Sequence, residues 1–460
     1  MSHLNDVLSY LDAHRADARA RLFDWLKIES ISTDPAYASA CRDAALWLKR
    51  DLATLGIEAE ISETGGHPAV VAHATGKGKK RALFYGHYDV QPVDPLNLWE
   101  TAPFDPQLVT LPDGRQAIRA RGAADDKGQV MTFVEACRAW KDVTGSLPIN
   151  ITFLIEGEEE DGSKHLPAFV EKRKTDLAAD VALVCDTSMW DQGTPQITTG
   201  LRGMVYEEVI VKAADRDLHS GLFGGGAQNP IRILSRILSD LHDDQGRVTL
   251  AGFYEGVPET PRQVLDQWAT LGLTPESFLA PIGLSEPAGE KGRMLIEMVQ
   301  SRPTCDVNGI IGGYTGVGAK TVIAAEASAK VSFRLVGHQD PAKIRDAFYA
   351  HVRARLPKDC TVEFITHKGS PAITLPFDMP DLVAAKSALH DEWGVDAVTL
   401  GSGGSIPIVG DFKRILGVDT LLVGFGLDDD RIHSPNEKYD VKSFEKGARS
   451  WARILAALAE

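Results

Sequence analysis

The sequence predicts an α/β protein: a mixed, mostly parallel sheet sandwiched by helices, with a smaller α+β domain inserted into it. Three observations lead there. Short apolar runs alternate with amphipathic segments up to about residue 185, and the alternation resumes near 376. Between these stretches the texture changes. Gly203-Met-Val-Tyr-Glu-Glu-Val-Ile-Val-Lys212 alternates apolar and polar residues, the mark of a sheet with one wet face. Finally, four apolar runs end in histidines or carboxylates, and in α/β sheets ligands bind beyond the carboxyl ends of strands.

Taken in order, residues 4–55 read as helical, with Leu8, Leu11, Leu22, Trp25 and Leu26 at three-to-four spacing. Strands follow near 57–62, 69–74 and 81–86, a helix from Gly128 to about Trp140, a strand over 149–155, a helix near 163–172 and a strand over 181–185. In the middle region Asn229-Pro230 starts a helix to Leu241, with Pro in its first turn. Thr321–Val336 is strand-like, 341–355 helical and 360–366 a strand. The pattern then gives helix 380–393, strand 396–400, helix 405–412, strand 418–424 and helix 441–458. With 460 residues, two domains are expected. Residues 1–200 and 376–460 form one discontinuous domain, and 201–375 the other.

The formal net charge of −15, with no basic block to offset it, argues against nucleic acid or an anionic membrane as partner. No run approaches ~20 apolar residues, the length needed for a membrane span. The N-terminus lacks the pattern of a signal peptide. The five cysteines are scattered, with no CxxC pair. A reduced, cytoplasmic protein is the expectation.

The candidate chemistry sits in a few segments. Ala82-Leu-Phe-Tyr-Gly-His87-Tyr-Asp89 is an apolar strand ending in a His and an Asp two apart. In extended backbone both point the same way, so Asp89 is placed to hold the ring of His87. Arg121-Gly-Ala-Ala-Asp125-Asp126-Lys127-Gly128 offers carboxylates, although Asp125 alone reads equally well as a helix cap. Glu156-Gly-Glu158-Glu159-Glu160-Asp161 crowds five carboxylates after a strand, which is costly unless a cation neutralises some of them. Asp186 follows Val-Cys, and His433-Ser-Pro-Asn-Glu437 follows the last strand. Each segment alone could be an ordinary cap, turn or acidic loop. Jointly, two histidines and three carboxylates at strand ends would hold two divalent cations, leaving a further carboxylate free as general base. Such a pair activates water and polarises a carbonyl, the chemistry of amide hydrolysis.

These segments, with Asp217-Leu-His219-Ser-Gly-Leu-Phe-Gly-Gly225, strongly resemble the M20 family of dinuclear metallopeptidases, closest to its carnosinase-like, cytosolic nonspecific dipeptidase branch. The resemblance runs from about residue 20 to the C-terminus. It implies a zinc-peptidase-like catalytic domain and a ferredoxin-like lid and dimerisation domain, acting as a homodimer. It implies that His87, Asp125 and Asp186 hold one metal, and Asp125, Glu160 and His433 the other. Glu159 would be the general base acting on a water shared by the metals, Asp89 would orient His87, and His219 would stabilise the oxyanion in the partner subunit's site. Arg334 would clamp a substrate carboxylate, with Thr321, Gly404 and Ser405 also touching substrate. Relatives commonly carry Arg-Glu before the Gly-Gly-Ser of this loop, where the present chain has Gly401-Ser402. That departure bears on substrate preference, not on hydrolysis. The metals are expected to be zinc, with manganese or cobalt as alternatives. The expected reaction is hydrolysis of dipeptides or short peptides with a free C-terminal carboxylate. The alternative is an N-acyl-amino-acid deacylase or a carboxypeptidase on the same site.

Overall fold

The computed structural model describes residues 3–367, 369–376, 378–402 and 407–460. They fall into two compact units. The first comprises residues 3–199, 375–376, 378–400 and 407–460, and the second 200–367, 369–374 and 401–402.

The first unit carries strands β1 (Ala59–Ser62), β2 (Ala69–Ala74), β3 (Arg81–His87), β4 (Gln107–Thr110), β5 (Gln116–Arg119), β6 (Asn150–Glu156), β7 (Val181–Val184) and β8 (Gln196–Leu201). Its main sheet runs β1-β2-β6-β3-β7, then Thr420–Leu422, then β8. From β6 through β3 and β7 to Thr420–Leu422 the pairing is parallel, so these four strands end at one edge. Six of the seven residues of β3 are buried, as expected of a strand covered on both faces.

Beneath β3 the packing is aromatic. The Phe84 ring stacks on Phe133 at 3.6 Å, and Trp451 meets both edge-on at 6.1 and 5.2 Å. Phe133 and Trp451 come from the helices Lys127–Thr144 and Val441–Ala457. Such pairs add about 0.5–1.5 kcal/mol each beyond the area they bury, and they pin the strand that ends in His87. The long helix begins where the backbone runs close to itself: a Cβ on Gly128 would lie 1.9 Å from the carbonyl oxygen of Ala123. Any other residue there forces the turn apart.

The second unit has an antiparallel four-stranded sheet, ordered Thr304–Gly312, Glu326–Leu335, Gly203–Lys212 and Thr361–Thr366. The helices Pro230–Ser239 and Pro341–Arg353 bury Ile233, Ile237, Phe348 and Val352 against Val205, Val209 and Phe333. Asn229 and Asp340 cap these helices, each accepting first-turn N–H groups. The run expected as one strand over Thr321–Val336 is two. Val322–Ile323 pairs instead with Leu218–His219 in a separate ribbon, and the sheet strand starts at Glu326. Among the described residues, no helix is long and apolar enough to cross a membrane. All five cysteines are buried and unpaired.

Candidate metal centre

Parallel pairing delivers the site. His87 is the last residue of β3 and stands in register with Glu156 at the end of β6. Glu159 and Glu160 follow in a short helical turn, and Asp186 lies two residues past β7. Asp125 sits just ahead of the helix Lys127–Thr144, before a cis peptide to Asp126. His433 adopts φ +60° in the turn after Thr420–Leu422.

Among the described residues, two groups of metal-ligand type have their ligand atoms within 4.8 Å of one another: His87, Asp125 and Asp186, and Asp125, Glu160 and His433. Asp125 belongs to both. Its Oδ1 lies 3.0 Å from Nε2 of His87, and its Oδ2 lies 3.0 Å from Nε2 of His433. Asp186 approaches His87 at 4.0 Å, and Glu160 lies 3.2 Å from His433. The other ring nitrogen of His87, Nδ1, lies 3.1 Å from the carbonyl oxygen of Asp89 and 3.3 Å from its Oδ1. The Asp89 carboxylate also accepts the backbone N–H groups of Glu159 and Glu160, at 3.3 and 3.1 Å. One side chain thus braces both the histidine and the acidic turn.

The electrostatics call for positive charge. Burial, then Asp186, Glu160 and Asp125, push Glu159 up to about 8. Burial and Asp125 push Asp186 up to about 7, and Glu160 is raised by burial and Asp125. Hydrogen bonds to Asp125 and Glu160 lift His433 to about 10. At Asp125 burial favours the neutral acid, but hydrogen bonds from His433 and His87 outweigh it and hold the carboxyl below its ordinary value. With only protein around them, Glu159 and Asp186 keep protons near neutrality and His433 holds an extra one. Divalent cations would replace those protons. Two imidazoles with carboxylates are a donor set suited to zinc, manganese or cobalt. The residues fit the group.

The second unit holds the other candidates. His219 is exposed, opposite Val322, with Nδ1 accepting the N–H of Gly221 at 3.0 Å. Thr321 is exposed next in chain, and its carbonyl accepts the N–H of Ser220. Arg334 is half-buried on its strand, opposite Met204 and Thr304. Gly404 and Ser405 lie outside the described residues.

Two residues at the centre, and one in the second unit, were not singled out by sequence reasoning. Gln91 Nε2 donates to Glu160 at 2.6 Å, and the carboxyl of Asp126 accepts the N–H of His87 at 3.1 Å. Gln91 lies in the His-Tyr-Asp-Val-Gln run, where a polar residue just past a strand was a usable signal. Asp126 gave none, since its partner is 39 residues away. Arg202 donates to the carbonyls of Met298 and Arg302, and burial and then Arg334 push it down to about 10.

Imidazoles and carboxylates gathered beyond the carboxyl ends of the parallel strands define a candidate metal-binding protein. The family model for Peptidase family M20/M25/M40 matches residues 83–457, and the chain belongs to this family. It is a metallopeptidase. It is 31% identical to a Cys-Gly metallodipeptidase of Candida albicans, over 95% of this chain and 93% of that one. It is 29% identical to the human Beta-Ala-His dipeptidase, over 99% and 93% of the two chains. Among solved structures, an M20 family metallo-carboxypeptidase from Sulfolobus solfataricus superposes with a TM-score of 0.78 at 31% identity, covering 96% of this chain and 99% of that one.

Proposed function

We propose that the protein is a dinuclear dipeptidase that cleaves dipeptides or short peptides bearing a free C-terminal carboxylate. The observation that carries this reading is the Asp125 carboxylate, which faces His87 with one oxygen and His433 with the other, each at 3.0 Å. One metal would be held by His87, Asp125 and Asp186, the second by Asp125, Glu160 and His433, with zinc as the first choice and manganese or cobalt as alternatives. Bound there, the cations would polarise the scissile carbonyl and bring the pKa of a water near neutrality.

The chain's own groups do the rest. Glu159, ligating neither metal, takes the proton of the attacking water on its carboxylate and passes it to the leaving nitrogen. Burial and the neighbouring carboxylates push it up to about 8 with no cation bound; cations at the two places would lower it toward the range in which a carboxyl can both accept and return a proton. Asp89 holds the His87 ring and the turn carrying Glu159 in register. Arg334 binds the substrate carboxylate, with Thr321 and the loop carrying Gly404 and Ser405 beside it. His219 donates to the developing oxyanion across a homodimer formed by the smaller domain, over 201–375. Residues 1–200 and 376–460 form the catalytic domain. The enzyme works in the cytoplasm on small peptides.

The likeness to a metallo-carboxypeptidase supports a second reading, in which the acyl side of the substrate is longer. Metal content per chain, with kcat/KM for Ala-Ala, β-Ala-His, longer peptides and N-acetyl amino acids, tests both. Two equivalents of metal and a preference for dipeptides are expected. One equivalent or none at saturation would overturn the dinuclear assignment, and a preference for N-acetyl amino acids or longer peptides would overturn the dipeptidase.

A further inference from the structure

Glu437 stands four residues after His433, fully buried, and takes no part in the proposed mechanism. Its carboxylate has four donors. Oε2 accepts from Arg121 Nη1 at 2.8 Å and from the backbone N–H of Gly122 at 2.8 Å. Oε1 accepts from the N–H groups of Ala124 and Asp125, at 2.9 and 3.0 Å. Each oxygen offers two lone-pair sites, so the acceptor capacity is used in full.

The donors belong to a stretch that no sheet ladder or helix satisfies. Gly122 has φ +81°, and the backbone then passes the cis peptide at Asp125–Asp126 before the helix begins at Lys127. Buried N–H groups in such a stretch need acceptors, and Glu437 accepts from three of them. Its own main chain is tied in place, because its carbonyl accepts the N–H of Ala120 and Lys438–Asp440 pairs with β5.

We propose that Glu437 is a positioning residue of the metal centre. It fastens the segment carrying Asp125 to the segment carrying His433, so that the shared carboxylate and the second imidazole are set by one side chain. This rests on the two-cation reading above. The competing account is that Glu437 only neutralises the buried Arg121 guanidinium. The two differ in what a substitution does. Glu437→Gln places an NH2 group against two N–H donors or against the guanidinium. Glu437→Asp keeps the charge opposite Arg121 but is one methylene too short to reach Ala124 and Asp125 as well.

The test is titration of metal-free protein with Zn²⁺ and with Mn²⁺ against a chromogenic chelator, alongside its melting temperature. Wild type, Glu437→Gln, Glu437→Asp and the control Glu392→Gln are compared. Glu392 is a buried carboxylate paired with Arg449 and Arg453, neither of which bonds to Glu437 or to a proposed metal ligand. Both Glu437 variants are expected to bind cations about 10- to 100-fold more weakly, the usual effect of removing a group that orients a ligand. Glu392→Gln is expected to lower the melting temperature with unchanged affinity. Wild-type affinity in Glu437→Asp would overturn the inference even if Glu437→Gln failed to fold. An equal loss in Glu392→Gln would overturn it too, because affinity would then merely follow stability. Wild-type protein that binds no cation would end the two-cation reading itself.

Discussion

The carboxylate of Asp125 meets the imidazole of His433 at 3.0 Å across 308 residues of chain. Its other oxygen meets His87 at the same distance. The two groups of candidate ligands therefore stand or fall together at Asp125 and separately elsewhere. Asp125→Asn is expected to abolish high-affinity binding of both cations, whereas His433→Ala leaves one equivalent bound. Calorimetric titration of the metal-free variants measures this. Two equivalents retained by Asp125→Asn would contradict the sharing.

Glu159→Gln removes the proposed proton carrier without touching a ligand. Turnover should fall by about 10²–10⁴-fold, the usual contribution of a general base, while the metal content stays at the wild-type value. Steady-state kinetics with elemental analysis on the same sample decide it. Unchanged kcat would exclude Glu159 from proton transfer.

The metal-free protein should lose stability as pH rises. Glu159 is held up at about 8, and Asp186 and Glu156 at about 7, so the folded chain keeps protons that the unfolded chain gives up near pH 4–5. Hydrogen bonds to Asp125 and Glu160 hold His433 up at about 10, and this acts in the same sense above about pH 6.5. Each group contributes stability that is present at low pH and lost as pH climbs through its folded value. Burial pushes Lys127 down to about 7, which works in the opposite sense above that pH. Asp125, held below its ordinary value, stays ionised throughout. A falling melting temperature between pH 5 and 8, abolished by added Zn²⁺ or Mn²⁺, is the expected result. A flat metal-free profile would contradict the crowding of carboxylates at the centre.

Gly128→Ala places a methyl group against the carbonyl of Ala123, which is backbone and cannot swing aside. Destabilisation of about 1–3 kcal/mol or more follows from such overpacking. It should be accompanied by weaker cation binding, because the turn that must open carries Asp125. Denaturant titration with a parallel binding measurement checks both parts.

Local patterns made much of the frame legible. Helix 380–393 was readable from its spacing, and the strand over 69–74 from its apolar run; the structure has Pro380–Trp393 and Ala69–Ala74. The endings of the apolar strands pointed to the residues that the fold gathers into the two groups. What stayed hidden has a common cause. Asp125 reads locally as a helix cap, yet the helix starts at Lys127 and neither Asp125 nor Asp126 caps it through its side chain. Asp89 reads as a partner of His87 alone, while its carboxylate also takes two N–H groups about 70 residues away. Glu437 reads as the tail of a turn, and its donors lie more than 300 residues upstream. Periodicity carries nothing about such distant pairings.

The two imidazoles differ in access. The His87 side chain is 0% exposed and that of His433 is 53% exposed. Ions held at these two places would exchange with solvent at unequal speeds. Under a dilute chelator an ion beside His433 would be expected to depart first, and one beside His87 to linger. Protein purified without supplemented metal would then be half-loaded and sluggish, and brief incubation with the missing ion would wake it.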